Sequence, residues 1–134
     1  MRMNPKGFTL PELLLSTAIL VFCLSSVLAT FIQSSILTGL ARNIAKAKTH
    51  AEYVMENIRA ETFTNIPQSN AMTTWSAWSL NSDQINTLGL TALNGETVVT
   101  TVSGTNPVDV IVTVTWTDTG GRSMSHAIRT LVSG

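Results

Sequence analysis

The hydrophobic residues of this chain follow two patterns along its first half. Residues 13–32 contain no charge and no proline, and a helix of that length spans about 30 Å, the thickness of a bilayer core. Beyond them, apolar residues recur every three or four positions as far as Ile58, the spacing of one apolar stripe along a helix. We therefore predict one continuous helix from about Phe8 to about Phe63, ending before Pro67.

The second half of the chain changes to a period of two. Residues 108–117 alternate strictly, with Val or Trp on one face, as in a strand with one buried side. Strands are predicted at Glu96–Ser103, Val108–Thr117 and Ser123–Val132. The turns between them are short, which favours an antiparallel three-stranded meander. Its Val and Trp face, including Trp116, should cover the helix near Val54 and Ile58.

These patterns predict an α+β fold in which a long N-terminal helix packs against a small C-terminal sheet. The predicted segments are a short basic leader (1–7), a transmembrane half of the helix (8–33), an amphipathic half (34–66), and a linking loop with the sheet (67–134). Trp75 and Trp78 fall in the linking loop, where at least one exposed ring would suit adhesion or a subunit contact.

Charge and cysteine content narrow the function further. The 134 residues carry eight basic and eight acidic side chains, and removal of Arg2 and Lys6 with the leader would leave a net charge of 6 − 8 = −2. That balance offers no electrostatic basis for nucleic-acid binding. The single cysteine, Cys23, excludes an intrachain disulfide, so the folded part must be held together by packing.

One acidic residue stands out in the apolar segment. Glu12 is the only charged residue between Lys6 and Arg42. A carboxylate in lipid costs about 2–3 kcal/mol on insertion scales, and such residues normally mark function. Basic residues precede the apolar run and none follows until Arg42, so the positive-inside rule places the N-terminus in the cytoplasm.

The segment Lys6-Gly7-Phe8-Thr9-Leu10-Pro11-Glu12 resembles the class III signal of type IV prepilins and pseudopilins, commonly Gly-Phe-Thr-Leu-x-Glu. The resemblance implies a type IV pilin fold and cleavage by prepilin peptidase between Gly7 and Phe8, followed by N-methylation of Phe8. It also implies that Glu12 pairs with the N-terminal amine of a neighbouring subunit during assembly. Pro11 departs from the usual aliphatic residue but is tolerated in a first helical turn.

The family resemblance also implies partners and a location. The partners are other pilin or pseudopilin subunits, an inner-membrane platform protein with its assembly ATPase, and membrane lipid before assembly. The chain would cross the inner membrane once and then enter a periplasmic pseudopilus or a cell-surface pilus. Residues 112–118, with Gly121-Arg122 and residues 129–131, resemble the end of minor pilins and minor pseudopilins, which favours a minor structural subunit.

Other interpretations stay open at this point. An apolar run ending near Ala29 also suits a Sec-secreted binding module, and a membrane-anchored adhesion module is a further alternative. Glu12 can alternatively reach the headgroups or the amine of its own chain. No nucleophile motif indicates an enzyme, and no cofactor is expected. No metal site is predicted, since His50 and His126 lack partners at zinc spacing and Asn81–Gln84 is poor in carboxylates.

Overall fold

The computed structural model describes residues 7–134. An α-helix, α1, spans Leu10–Ala60. The chain divides into two compact units, the first ending at Gly39 and the second covering Leu40–Gly134. The predicted leader lies outside the described residues except for Gly7.

The first unit consists of the N-terminal part of α1 and the three residues before it. From Gly7 to Gly39 every residue is exposed. The segment is rich in Leu, a good helix former, and its proline, Pro11, lies in the first turn, where the missing N–H has no helical partner to lose. This part of α1 is therefore helical by local propensity and has no tertiary core of its own.

The second unit contains the rest of α1 and a mixed set of elements after it. These are two 3₁₀ turns (Phe63–Asn65 and Ser76–Trp78), strands β1 (Ser69–Thr74) and β2 (Leu80–Asn81), helix α2 (Ser82–Thr87), and strands β3 (Thr97–Gly104), β4 (Val108–Thr117) and β5 (Ser123–Val132). The strands form one antiparallel sheet in the order β1-β3-β4-β5, and β2 also pairs with β3. The predicted meander is confirmed as β3-β4-β5, and the linking segment extends it.

The core of the second unit lies between α1 and one face of the sheet. The inward residues of β4 (Val108, Val110, Val112, Val114 and Trp116) are 0–2% exposed. In the facing helix, Ala51, Val54 and Ile58 are 0–1% exposed and belong to the same cluster. Burial of a Val or Ile side chain stabilises the folded state by about 1.5–3 kcal/mol. The contact between these two sets of residues therefore contributes much of the energy that holds the sheet on the helix. The predicted α+β fold and the predicted helix-facing side of the sheet are confirmed.

The turn between β4 and β5 is stabilised by a buried carboxylate. Asp118 Oδ1 accepts hydrogen bonds from the backbone N–H groups of Gly120 (2.8 Å) and Arg122 (2.9 Å). Its Oδ2 accepts from Arg122 Nε at 2.9 Å and Nη2 at 2.7 Å. The bond from the Arg122 backbone, followed by those from its guanidinium, holds the pKa of Asp118 below its ordinary value because these donors favour the ionised form.

Candidate assembly helix and its N-terminal carboxylate

The predicted cleavage position lies in open, non-helical backbone before α1. Gly7, Phe8 and Thr9 precede the first helical residue, and all three are exposed. Among the described residues beyond Phe8, no atom lies within 4 Å of the position that a side chain on Gly7 would occupy, and Phe8 is 77% exposed. A larger residue at position 7 would therefore meet no obstacle from that part of the chain.

The carboxylate of Glu12 lies in the first turn of α1 and is exposed. Thr9 Oγ1 donates to Glu12 Oε2 at 3.4 Å, a long hydrogen bond, and Leu13 N donates to Thr9 O at 3.1 Å. The positive end of the helix dipole also favours an acid at this place. Among residues 7–134, no basic group lies within 4.0 Å of Glu12. The helix end stabilises this charge in part and leaves it without a cationic partner.

The rest of the first unit presents apolar side chains in every direction around the helix. Leu, Ile, Val and Phe residues from Leu10 to Leu37 are between 51% and 76% exposed. They include Leu13, Leu14, Leu15, Ile19, Leu20, Val21, Phe22, Leu24, Val27, Leu28, Phe31, Ile32 and Ile36. An apolar surface of this extent marks a membrane or protein contact. By length and composition α1 can cross a membrane, and no residue in its most apolar stretch is buried.

Several hydroxyl groups within this apolar segment donate hydrogen bonds to carbonyl groups of the helix itself. Ser25 Oγ donates to Val21 O, Ser26 Oγ to Phe22 O, and Thr30 Oγ1 to Ser26 O, at 2.8–2.9 Å. A hydroxyl that bonds to the carbonyl one turn earlier needs no water, so its transfer into lipid costs less. These small side chains therefore suit both lipid and a neighbouring helix.

A buried polar pair in the second unit was not predicted from the sequence. His50 Nδ1 lies 2.6 Å from Glu96 Oε1, and the two residues are 4% and 0% exposed. Glu96 Oε2 also accepts the backbone N–H of Leu93 at 2.6 Å. The pair joins α1 to the segment that leads into β3. His50 lies on the same helix face as Ala47, and Glu96 lies on the same side of the chain as Val98. This spacing relative to buried apolar residues could have predicted from the sequence that both are buried.

The tryptophans differ from the exposure expected for an adhesive loop. Trp75 is 8% exposed and belongs to the core, and its backbone N–H donates to Thr100 O at 2.7 Å. Trp78 is partly buried and packs against the same core. Trp75 is therefore buried and Trp78 keeps part of its surface exposed, because the segment that carries them pairs with β3 on either side. His50 is likewise a core residue.

The structure thus places Gly7, Phe8 and Glu12 together at the N-terminal end of an exposed apolar helix. The helix continues into a unit with a helix-on-sheet core. The combination of a long N-terminal apolar helix and an antiparallel sheet is compatible with a pilin-like fold. No protein-family model, curated protein or solved structure matches the chain.

Proposed function

We propose that this chain is a structural, minor subunit of a type IV pilus or a type II secretion pseudopilus. Prepilin peptidase cuts it between Gly7 and Phe8 and methylates the new amine of Phe8. Neighbouring subunits then bundle through the first unit, driven by an inner-membrane platform protein and its ATPase. The observation that supports this most is Glu12, an acid with no cation beside it among residues 7–134, at the N-terminal end of the exposed apolar part of α1.

The chemistry of the N-terminus supports pairing between subunits. Cleavage after Gly7 creates an α-amine that is largely protonated near neutral pH, and methylation leaves it basic. The amine and the Glu12 carboxylate are each costly in an apolar surrounding, and together they cost less. A membrane anchor alone needs no acid in its first turn. An acid that meets the amine of the next subunit would also fix the axial register between two apolar helices.

The pairing role is tested by removing the charge at position 12 and counting fibres. Glu12→Gln keeps the shape of the side chain, and the matched control is Asp83→Asn, which neutralises an exposed acid in the first turn of α2. Since 1.4 kcal/mol changes an equilibrium about tenfold, we expect Glu12→Gln to lower incorporation into fibres at least about tenfold. Membrane insertion should be unchanged, and Asp83→Asn should assemble normally. Normal fibre content in Glu12→Gln would refute the pairing.

Processing is tested by the mass and N-terminal sequence of the mature protein. A start at methylated Phe8 supports the pilin assignment, whereas a start at Thr30 would identify a Sec-secreted module instead. Gly7→Val should block the cut, and because no described residue beyond Phe8 lies near the added side chain, the block would reflect the peptidase. An unchanged mature mass in Gly7→Val would remove Gly7 from the cleavage site.

A further inference from the structure

The basic side chains of this chain differ in whether an acid neutralises them. Six Lys and Arg residues follow Phe8, and four of them lie within 4.0 Å of a carboxylate. The pairs are Lys48–Glu52, Arg59–Glu56, Arg122–Asp118 and Arg129–Asp109. Within residues 7–134, Arg42 and Lys46 have no such partner. These two are also the first basic residues after the apolar segment.

Arg42 and Lys46 form a small patch on α1. They are four residues apart, so their side chains lie on the same face of the helix. Arg42 is exposed and Lys46 is partly buried. A partly buried lysine covers apolar surface with its methylene groups and keeps its ammonium in a polar layer. The patch, which we call the basic collar, therefore presents two positive charges with no neutralising group of their own.

The length of the uncharged segment places the collar near a headgroup layer. Residues 13–39 contain no charge, and 27 helical residues measure about 40 Å. A bilayer with its headgroups is about 40–45 Å thick. Arg42 follows Gly39 by three residues, which is at most about 10 Å of chain. If Glu12 lies at the headgroups of the cytoplasmic leaflet, the collar lies at or just beyond the headgroups of the opposite leaflet.

We propose that the basic collar, Arg42 and Lys46, binds the phosphate groups of anionic phospholipids in the leaflet distal to Glu12. Each basic side chain near an anionic surface raises local binding about fivefold, and a guanidinium also donates paired hydrogen bonds to phosphate oxygens. Lys48 and Arg59 should attract anionic lipid less, since each lies within 4.0 Å of a carboxylate that reduces the local net charge. The collar would hold the newly inserted subunit at a fixed depth before it enters a fibre. This proposal rests on the proposed function only in requiring a helix that spans the bilayer.

The test compares two double variants with the same change in net charge. Arg42→Gln/Lys46→Gln removes the collar, and Lys48→Gln/Arg59→Gln removes two bases that have carboxylate partners. Each full-length protein is reconstituted into vesicles of equal parts phosphatidylglycerol and phosphatidylcholine. It is then released in mild detergent and analysed by native mass spectrometry. We expect the wild type and the control to retain phosphatidylglycerol over phosphatidylcholine at least about fivefold, and the collar variant to show no preference.

Labelling of the native Cys23 shows whether the helix is inserted in the membrane, independently of whether the collar binds lipid. Cys23 lies within the uncharged segment and should not react with a membrane-impermeant maleimide in the vesicles. An unreactive Cys23 without any lipid preference would overturn the collar proposal alone. A reactive Cys23 would overturn both the spanning helix and the collar. A collar variant that keeps its lipid preference but loses fibre content would show that these bases contact a neighbouring subunit, and the lipid proposal would be wrong.

Discussion

The two parts of α1 have the same local structure and opposite surroundings. In the segment Leu10–Gly39 every residue is exposed, although most are apolar. In the segment Leu40–Ala60 a narrow stripe is buried and the remaining faces carry charged and polar residues. Helical hydrogen bonding satisfies the backbone in both. The two segments therefore differ in what covers their side chains. In the second segment the sheet covers them, and in the first, on our proposal, lipid or other subunits do.

Because of this difference, the second segment contributes to the stability of the fold, whereas on our proposal the first contributes to association between subunits. The second segment gains stability from residues that are 0–4% exposed, including a polar pair. In the first segment the apolar side chains are exposed, so among the described residues this segment forms no buried core of its own. Substitutions in the second segment should therefore change the unfolding of the sheet, and those in the first should change association.

The energetic difference between the two segments can be tested by truncating one isoleucine in each. Ile58 is 0% exposed, and Ile19 is 55% exposed. Ile58→Ala should lower the free energy of unfolding of the sheet by about 4 kcal/mol, because it leaves a cavity in the core. Ile19→Ala should change it by less than about 0.5 kcal/mol. Urea unfolding in detergent, followed by tryptophan fluorescence, measures both. Equal losses from the two variants would show that the segments are not energetically separate.

A smaller loss is expected from the buried polar pair. His50→Ala leaves the Glu96 carboxylate buried with only the Leu93 N–H as a donor, which should cost about 3 kcal/mol. Lys48→Ala removes an exposed pair, with Lys48 Nζ 3.7 Å from Glu52 Oε1, and should cost less than about 0.5 kcal/mol. Adding Glu96→Gln to His50→Ala should recover part of the loss, since a neutral amide needs no counter-charge. No recovery would mean that His50 acts through packing alone.

The sequence predicted the first half of α1 from its long uncharged apolar run, and it predicted the other elements from side chains that meet the core. The second half of α1 and the three strands β3, β4 and β5 were predicted because burial imposes a period on them. Strand β1 reads Ser-Asn-Ala-Met-Thr-Thr and is almost wholly exposed, so no side-chain pattern reveals it. Its place is set by backbone pairing with β3, and by a bulge within that pairing.

The polar side chains were harder to interpret because the same residues suit several roles. The segment Asn81–Gln84 was weighed as a set of oxygen ligands, and the structure shows a capping box. Asn81 Oδ1 accepts the Gln84 N–H at 2.9 Å, and Gln84 Oε1 accepts the Asn81 N–H at 2.9 Å. The position of Glu12 in the first helical turn followed from the sequence. Its proposed partner belongs to another subunit, so a pattern within one chain indicates the acid and not its contact.

The smallest effect should come from the turn between β4 and β5, and it should depend on pH. The pKa of Asp118 lies below its ordinary value of 3.8, so folding favours the ionised form. Its contribution is complete above that value and is lost as the pH falls through the lower pKa of the folded state. Asp118→Asn keeps an acceptor for the turn but loses the charge, so its melting temperature should fall below that of the wild type at pH 7. The gap should narrow in acid. Glu12→Gln, which removes an acid from the first segment, should leave the melting curve of the sheet unchanged at both pH values. A gap for Asp118→Asn that is constant from neutral to acidic pH would exclude its ionisation as the cause.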